Sequence, residues 1–110
     1  DLDSPVDPRF GRAARFIAVD PDTLEFEVLE NTQNLQASQG AGIQAATLVA
    51  RHKPAAVLTG NCGPKAFQTL QAAGVPVVVG VSGVVRDVVE KYRKGEYSQA
   101  TSANVEGHWM

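Results

Sequence analysis

The chain has 110 residues, a length that suits one domain and leaves no room for separate catalytic and substrate modules. With 44% apolar and 20% charged residues it fits a soluble globular fold, not a disordered tail. Twelve acidic against ten basic residues give a net charge of −2, so no global basic field exists to attract DNA or RNA. The single cysteine excludes an internal disulfide framework and any multi-cysteine zinc or iron–sulfur centre supplied by one chain.

Residues 1–14, DLDSPVDPRFGRAA, read as an ordered loop in which Pro5 and Pro8 restrict the backbone and Gly11 frees it. Arg9, Arg12 and Arg15 flank Phe10 there, either as a solvated basic loop or as reach toward an anion. A hairpin is expected next. Its strands are RFIAVD, residues 15–20, and LEFEVLE, residues 24–30, joined through Asp20-Pro21-Asp22-Thr23. Alternation places Leu24, Phe26 and Val28 on a packed face and Glu25 and Glu27 on a wet one.

After the polar stretch NTQNLQAS comes a helix, GAGIQAATLVARHK, with Ile43, Ala46, Thr47 and Ala50 on one face and Pro54 as its stop. Then the grammar changes. AAVLT, residues 55–59, and VPVVVG, residues 75–80, are apolar without alternation. They alternate with helices PKAFQTLQAA, residues 64–73, and GVVRDVVEKYRK, residues 83–94. That order predicts parallel strands covered on both faces. Arg86 with Glu90 and Asp87 with Lys91 have the spacing of ordinary helix-surface pairs. A single domain over residues 1–97 and a polar tail over 98–110 follow. The longest strongly apolar run, Val75 to Val81, is too short to span a bilayer, and the acidic start is unlike a signal peptide. A cytoplasmic setting is expected.

Three glycine-bearing junctions are candidates for binding: Ser38–Gly42, Thr59–Pro64 and Gly80–Gly83. Helix starts carry unpaired N–H groups and partial positive charge, so two or three on one side would cradle an anion. The alternative is that these glycines make tight turns and close helix contacts. Neither a dinucleotide fingerprint nor a GxxxxGK[ST] loop is present. Cys62, near a helix start, reads either as a thiol of lowered pKa and soft-metal ligand or as a small buried hydrophobe. His52 and His108 do not pair with it by local spacing, and no cluster of carboxylates suits a metal-dependent hydrolase.

The words Pro8-Arg9-Phe10-Gly11-Arg12-Ala13, Phe16-Ile17-Ala18-Val19-Asp20 and Gly40-Ala41-Gly42-Ile43-Gln44-Ala45-Ala46 recur in a known order. Leu58 to Phe67 (LTGNCGPKAF) and Ala72-Ala73-Gly74-Val75 continue it. Together they resemble the dinitrogenase iron–molybdenum cofactor biosynthesis family, over about residues 5–97. That family includes nitrogenase accessory proteins that carry cofactor precursors and small orange proteins that hold a molybdenum–copper sulfide cluster; the latter are the closer type.

The resemblance implies a ribonuclease H-like mixed sheet with helices on both faces. Its first, central strand is expected to be absent from these 110 residues, exposing two edges. It also implies a non-catalytic role, binding, carrying or assembling a Mo–Cu sulfide cluster or an iron–molybdenum cofactor precursor. Arg12, Gly40, Gly42, Gly60, Asn61 and Gly63 would hold the cluster and Cys62 would contact metal, with His108 and Met110 as weaker copper candidates. Expected partners are the cluster and a protein that donates or accepts it, with no nucleic acid and no membrane, and a monomeric state. The competing expectation from the same helix starts is a small regulatory module that binds a phosphate ligand.

Overall fold

A computed structural model describes residues 1–13, 15–31 and 41–98. Strands β1 (Arg15–Val19) and β2 (Phe26–Glu30) form an antiparallel ladder, with Phe16 opposite Leu29 and Ile17 opposite Val28. Helix α1 (Ala41–Ala50) follows, then β3 (Val57–Leu58), α2 (Pro64–Ala72), β4 (Val77–Val78) and α3 (Val85–Arg93). β3 and β4 pair in parallel. The expected α/β order is present, and among the described residues the strands form two separate two-stranded sheets and not one mixed sheet.

The β3–β4 pair is covered on both faces. Val57 and Val77 pack with Ala45, Ala46 and Val49 of α1 and with Phe67 and Leu70 of α2. Val78 and Leu58 turn the other way, onto Val81 and Val88. This is why the two runs lack alternation: both sides of each strand are dry. Regular pairing is shorter than the apolar runs because Pro76 lacks an N–H and Gly60 and Gly80 lie just beyond each strand end.

Several side-chain placements differ from the periodicity. In β2 the buried residue is Leu29, whereas Phe26 and Val28 remain 45% and 41% exposed. The side of the ladder carrying Phe16 and Leu29 faces the interior, and Phe16 stacks at 4.9 Å on Phe10, which is itself core. In α1 the buried stripe is Ala45, Ala46 and Val49, and Ile43 points outward. Small residues win that stripe because α1 lies close to α2: a Cβ at Gly42 would sit 3.5 Å from that of Ala66. On α3, Arg86 pairs with Asp3 and Glu90 with Arg93, and not in the spacing-based couples.

Between the ladders lies a slot of about 630 Å³, bounded by β1 on one side and β3 on the other. Phe16, Leu29 and Val49 line one wall, and Val88 and Tyr92 line another.

Candidate functional site

The loop that precedes β1 folds across the carboxyl ends of β3 and β4. Arg9 bridges Asn61 in parallel fashion, Pro5 bridges Val84, and the Val6 N–H donates to the Gly83 carbonyl at 2.8 Å. Leu2, Phe10 and Ala13 are buried, which explains the order of a proline-rich segment. The Asn61 amide donates to the Pro8 carbonyl at 2.9 Å, and the Phe10 N–H donates to the Asn61 carbonyl at 2.9 Å. At the loop's far end, the buried Asn31 amide donates to the Ala13 carbonyl at 2.7 Å.

This arrangement separates the three glycine junctions. At the last one, the first-turn amides of α3 already have acceptors: Val85 donates to Ser4 and Arg86 to Leu2 through their N–H groups. That helix start is capped by the protein's own backbone, and those donors are spent before any anion arrives. Of the first junction, Ser38, Gln39 and Gly40 lie outside the described residues; Gly42 sits in the first turn of α1, against α2. The middle junction remains. Gly63 is the N-cap of α2, no side chain caps the helix, and Pro64 occupies its first turn. Among the described residues a Cβ at Gly63 would meet nothing within 4 Å, so no described atom fills the space before this helix start.

Gly60 behaves otherwise. A Cβ there would stand 2.8 Å from the Pro8 Cα and carbonyl oxygen. Its missing side chain admits the loop, so close approach of a ligand is not what requires glycine there. Asn61 likewise spends its amide on the loop. Sequence reasoning placed both at the site and missed Pro8, whose carbonyl they share; a proline two residues before a phenylalanine carries no local signal of such a contact.

Cys62 is fully buried within the α1–α2 core. Burial pushes its thiol up to about 11, opposite to the lowered value expected of a helix start. The bland alternative describes this environment: a small hydrophobe beneath the loop. Arg12 ends a 3-10 turn, Phe10–Arg12, which sets its backbone beside the loop clasp. His108 and Met110 lie outside the described residues. Among the described residues no group of three or more His, Cys, Asp or Glu is arranged to hold a metal ion.

The first turn of α2 carries Lys65 and no acidic residue. What the fold and this edge define is a small α/β protein in which the loop of residues 5–10 meets the carboxyl end of β3, just ahead of the start of α2. The family profile described as dinitrogenase iron-molybdenum cofactor matches residues 1–95, and the chain belongs to that family. The apo form of the orange protein from Desulfovibrio gigas superposes with a TM-score of 0.90 at 45% identity. That match covers 94% of this chain and 88% of the other. A Thermotoga structure solved by NMR and described as a NifB protein superposes with a TM-score of 0.79 at 33% identity, covering 97% and 90%. An uncharacterized protein of Methanocaldococcus jannaschii is 27% identical over 92 residues, 81% of this chain and 77% of that protein. No helix among the described residues is long and apolar enough to cross a membrane.

Proposed function

We propose that the protein is a non-catalytic binder and carrier of a molybdenum-containing sulfide cluster, of the molybdenum–copper type or an iron–molybdenum cofactor precursor. The cluster is cargo, received from or passed to another protein. The observation that carries this reading is the open helix start at Gly63, beside a loop held in place by Asn61 and Gly60. Family membership and the likeness to the orange protein support it. A thiometallate is a compact, polarisable anion, matched to backbone N–H donors and to an arginine such as Arg12. Gly40 and Gly42 belong to the proposal as the neighbouring helix start. Cys62 belongs to the proposal as the metal contact, its thiol, raised to about 11 by burial, giving up its proton only as the metal binds. The finer fold assignment, a ribonuclease H-like sheet with helices on both faces, is part of the same reading, as is a cytoplasmic setting.

The test is anaerobic titration of the protein with tetrathiomolybdate and Cu(I), followed by gel filtration, visible spectra and metal analysis. A charge-transfer spectrum that elutes with the protein at fixed stoichiometry is the expected result. No retained colour, together with tight binding of phosphate compounds, would replace the cluster by a phosphate ligand at the same helix start.

A further inference from the structure

Strand β2 carries apolar surface that the core does not use. Among the described residues three large apolar side chains stand exposed, and two of them, Phe26 and Val28, are in β2. Across the ladder they oppose Val19 and Ile17, both half-buried, so the four share one face. Packing falls to Phe16 and Leu29 on the other face. Contiguous exposed apolar surface that no core contact requires marks an interaction site.

The same strand offers an unused ladder. The Asp20 N–H donates to the Glu25 carbonyl, so Asp20–Glu25, Ala18–Glu27 and Phe16–Leu29 are the pairs that exchange hydrogen bonds. The backbone groups of Phe26, Val28 and Glu30 alternate with these and point away from β1, and no described residue bonds to them there. A row of outward N–H and carbonyl groups is a template for one more strand.

Charge selects the occupant. The hairpin carries five acidic residues, Asp20, Asp22, Glu25, Glu27 and Glu30, against Arg15 alone. Arg15 is already paired with Glu30 at 3.1 Å. The hairpin's acidic excess is larger than the net −2 of the whole chain, so the remainder of the molecule is net basic. Two β2 strands laid edge to edge would bring acid against acid, which disfavours a second copy at this edge.

We propose that the outer edge of β2 docks an extended basic strand of another protein by β-augmentation, in which lysine or arginine alternates with apolar residues. The apolar side chains of that strand lie beside Phe26 and Val28, and its cations lie beside Glu25 and Glu27 on the opposite face. Backbone bonds to Phe26 and Val28 supply the affinity, and alternation with charge supplies the selectivity. No residue of the three glycine junctions belongs to β2, so the inference stands apart from the cargo.

The test uses the 110-residue protein without metal, so its failure would leave the cluster reading standing. The probes are the peptide Lys-Val-Lys-Ile-Lys-Val-Lys, its counterpart with glutamate for lysine, and a version of the first with proline for isoleucine, each added in excess. Amide exchange at Phe26 and Val28 should slow by about tenfold with the lysine peptide and stay at the free rate with the other two. Exchange at Glu27 and Leu29, whose N–H groups already face β1, should change far less. High salt should weaken the protection. In the Glu25→Lys, Glu27→Lys double variant the preference should pass to the glutamate peptide; both positions are exposed, so the fold survives the change. Equal protection by the lysine and glutamate peptides, or none at Phe26 and Val28 with either, would overturn the docking edge. Protection that rises with protein concentration in the absence of peptide would overturn it in favour of a second copy.

Discussion

Gly60 and Gly63, close neighbours in one loop, serve different needs. At Gly60 the added methyl of alanine collides with the backbone of Pro8, which cannot swing aside as a side-chain tip would. Gly60→Ala is expected to destabilise the fold by about 1–3 kcal/mol, the usual scale of overpacking, as read by chemical denaturation. Gly63 has φ −70° and open space, so Gly63→Ala should stay within about 0.5 kcal/mol of the parent. It should nevertheless weaken retention of the thiomolybdate–copper cluster by more than about tenfold, because a methyl stands where the anion approaches. Equal cluster affinity in Gly63→Ala and the parent would move the cradle elsewhere.

Cys62 makes a pH prediction of definite sign. Its pKa rises from 9.0 to about 11 on folding, so between these values the folded state holds more proton than the unfolded state. Stability from this group is complete below pH 9 and declines as pH climbs toward 11, by about 2–3 kcal/mol in total. Denaturation of the parent and Cys62→Ala across pH 8 to 11 isolates it: the gap between them should narrow with rising pH. A constant gap would show that the thiol is not desolvated. In the same way, Leu24 sits at φ 65° in the hairpin turn, a conformation that strains a branched side chain. Leu24→Gly is expected to be stabilising or neutral despite the lost apolar surface.

At the level of elements, the order of strands and helices was legible because glycine and proline punctuate it. Pro54, Pro64, Gly74 and Gly95 mark boundaries that the structure keeps to within a few residues. Sidedness was less legible. Alternation in LEFEVLE made Phe26 and Val28 look packed, yet the face that reaches the core is set by where Phe10 and Ala13 anchor the start of β1. Periodicity reports that one face differs from the other, and only tertiary contacts decide which one is inside. The helix start at the Thr59–Pro64 junction was legible from its glycines and Pro64. The occupied start of α3 was not, because the backbone carbonyls that cap this helix come from Leu2 and Ser4, far away in the sequence. An alteration of that cap should be visible locally. Removal of residues 1–4 is expected to speed amide exchange at Val85 and Arg86 more than at Phe67 in α2; uniform acceleration would mean that the segment acts only through global stability.

Across the whole molecule, a contact between residues remote in sequence has a temporal consequence. The Leu2 carbonyl accepts from the Arg86 N–H, although the two residues stand far apart in the sequence. A ribosome makes the first partner long before the second. At about 5–20 residues per second, the opening segment waits roughly 4–17 seconds before its acceptor groups can be used. For most of that interval Leu2 and the Pro8 carbonyl lack the partners they have in the folded protein, since Gly60, Asn61 and Arg86 all arrive late. The proline-restricted backbone of residues 5–8 narrows what the waiting segment can explore, which lowers the entropy lost when it finally docks. Birth order therefore favours a nascent chain in which the stretch of residues 5–8 is stiff and α3 closes over the segment that carries it.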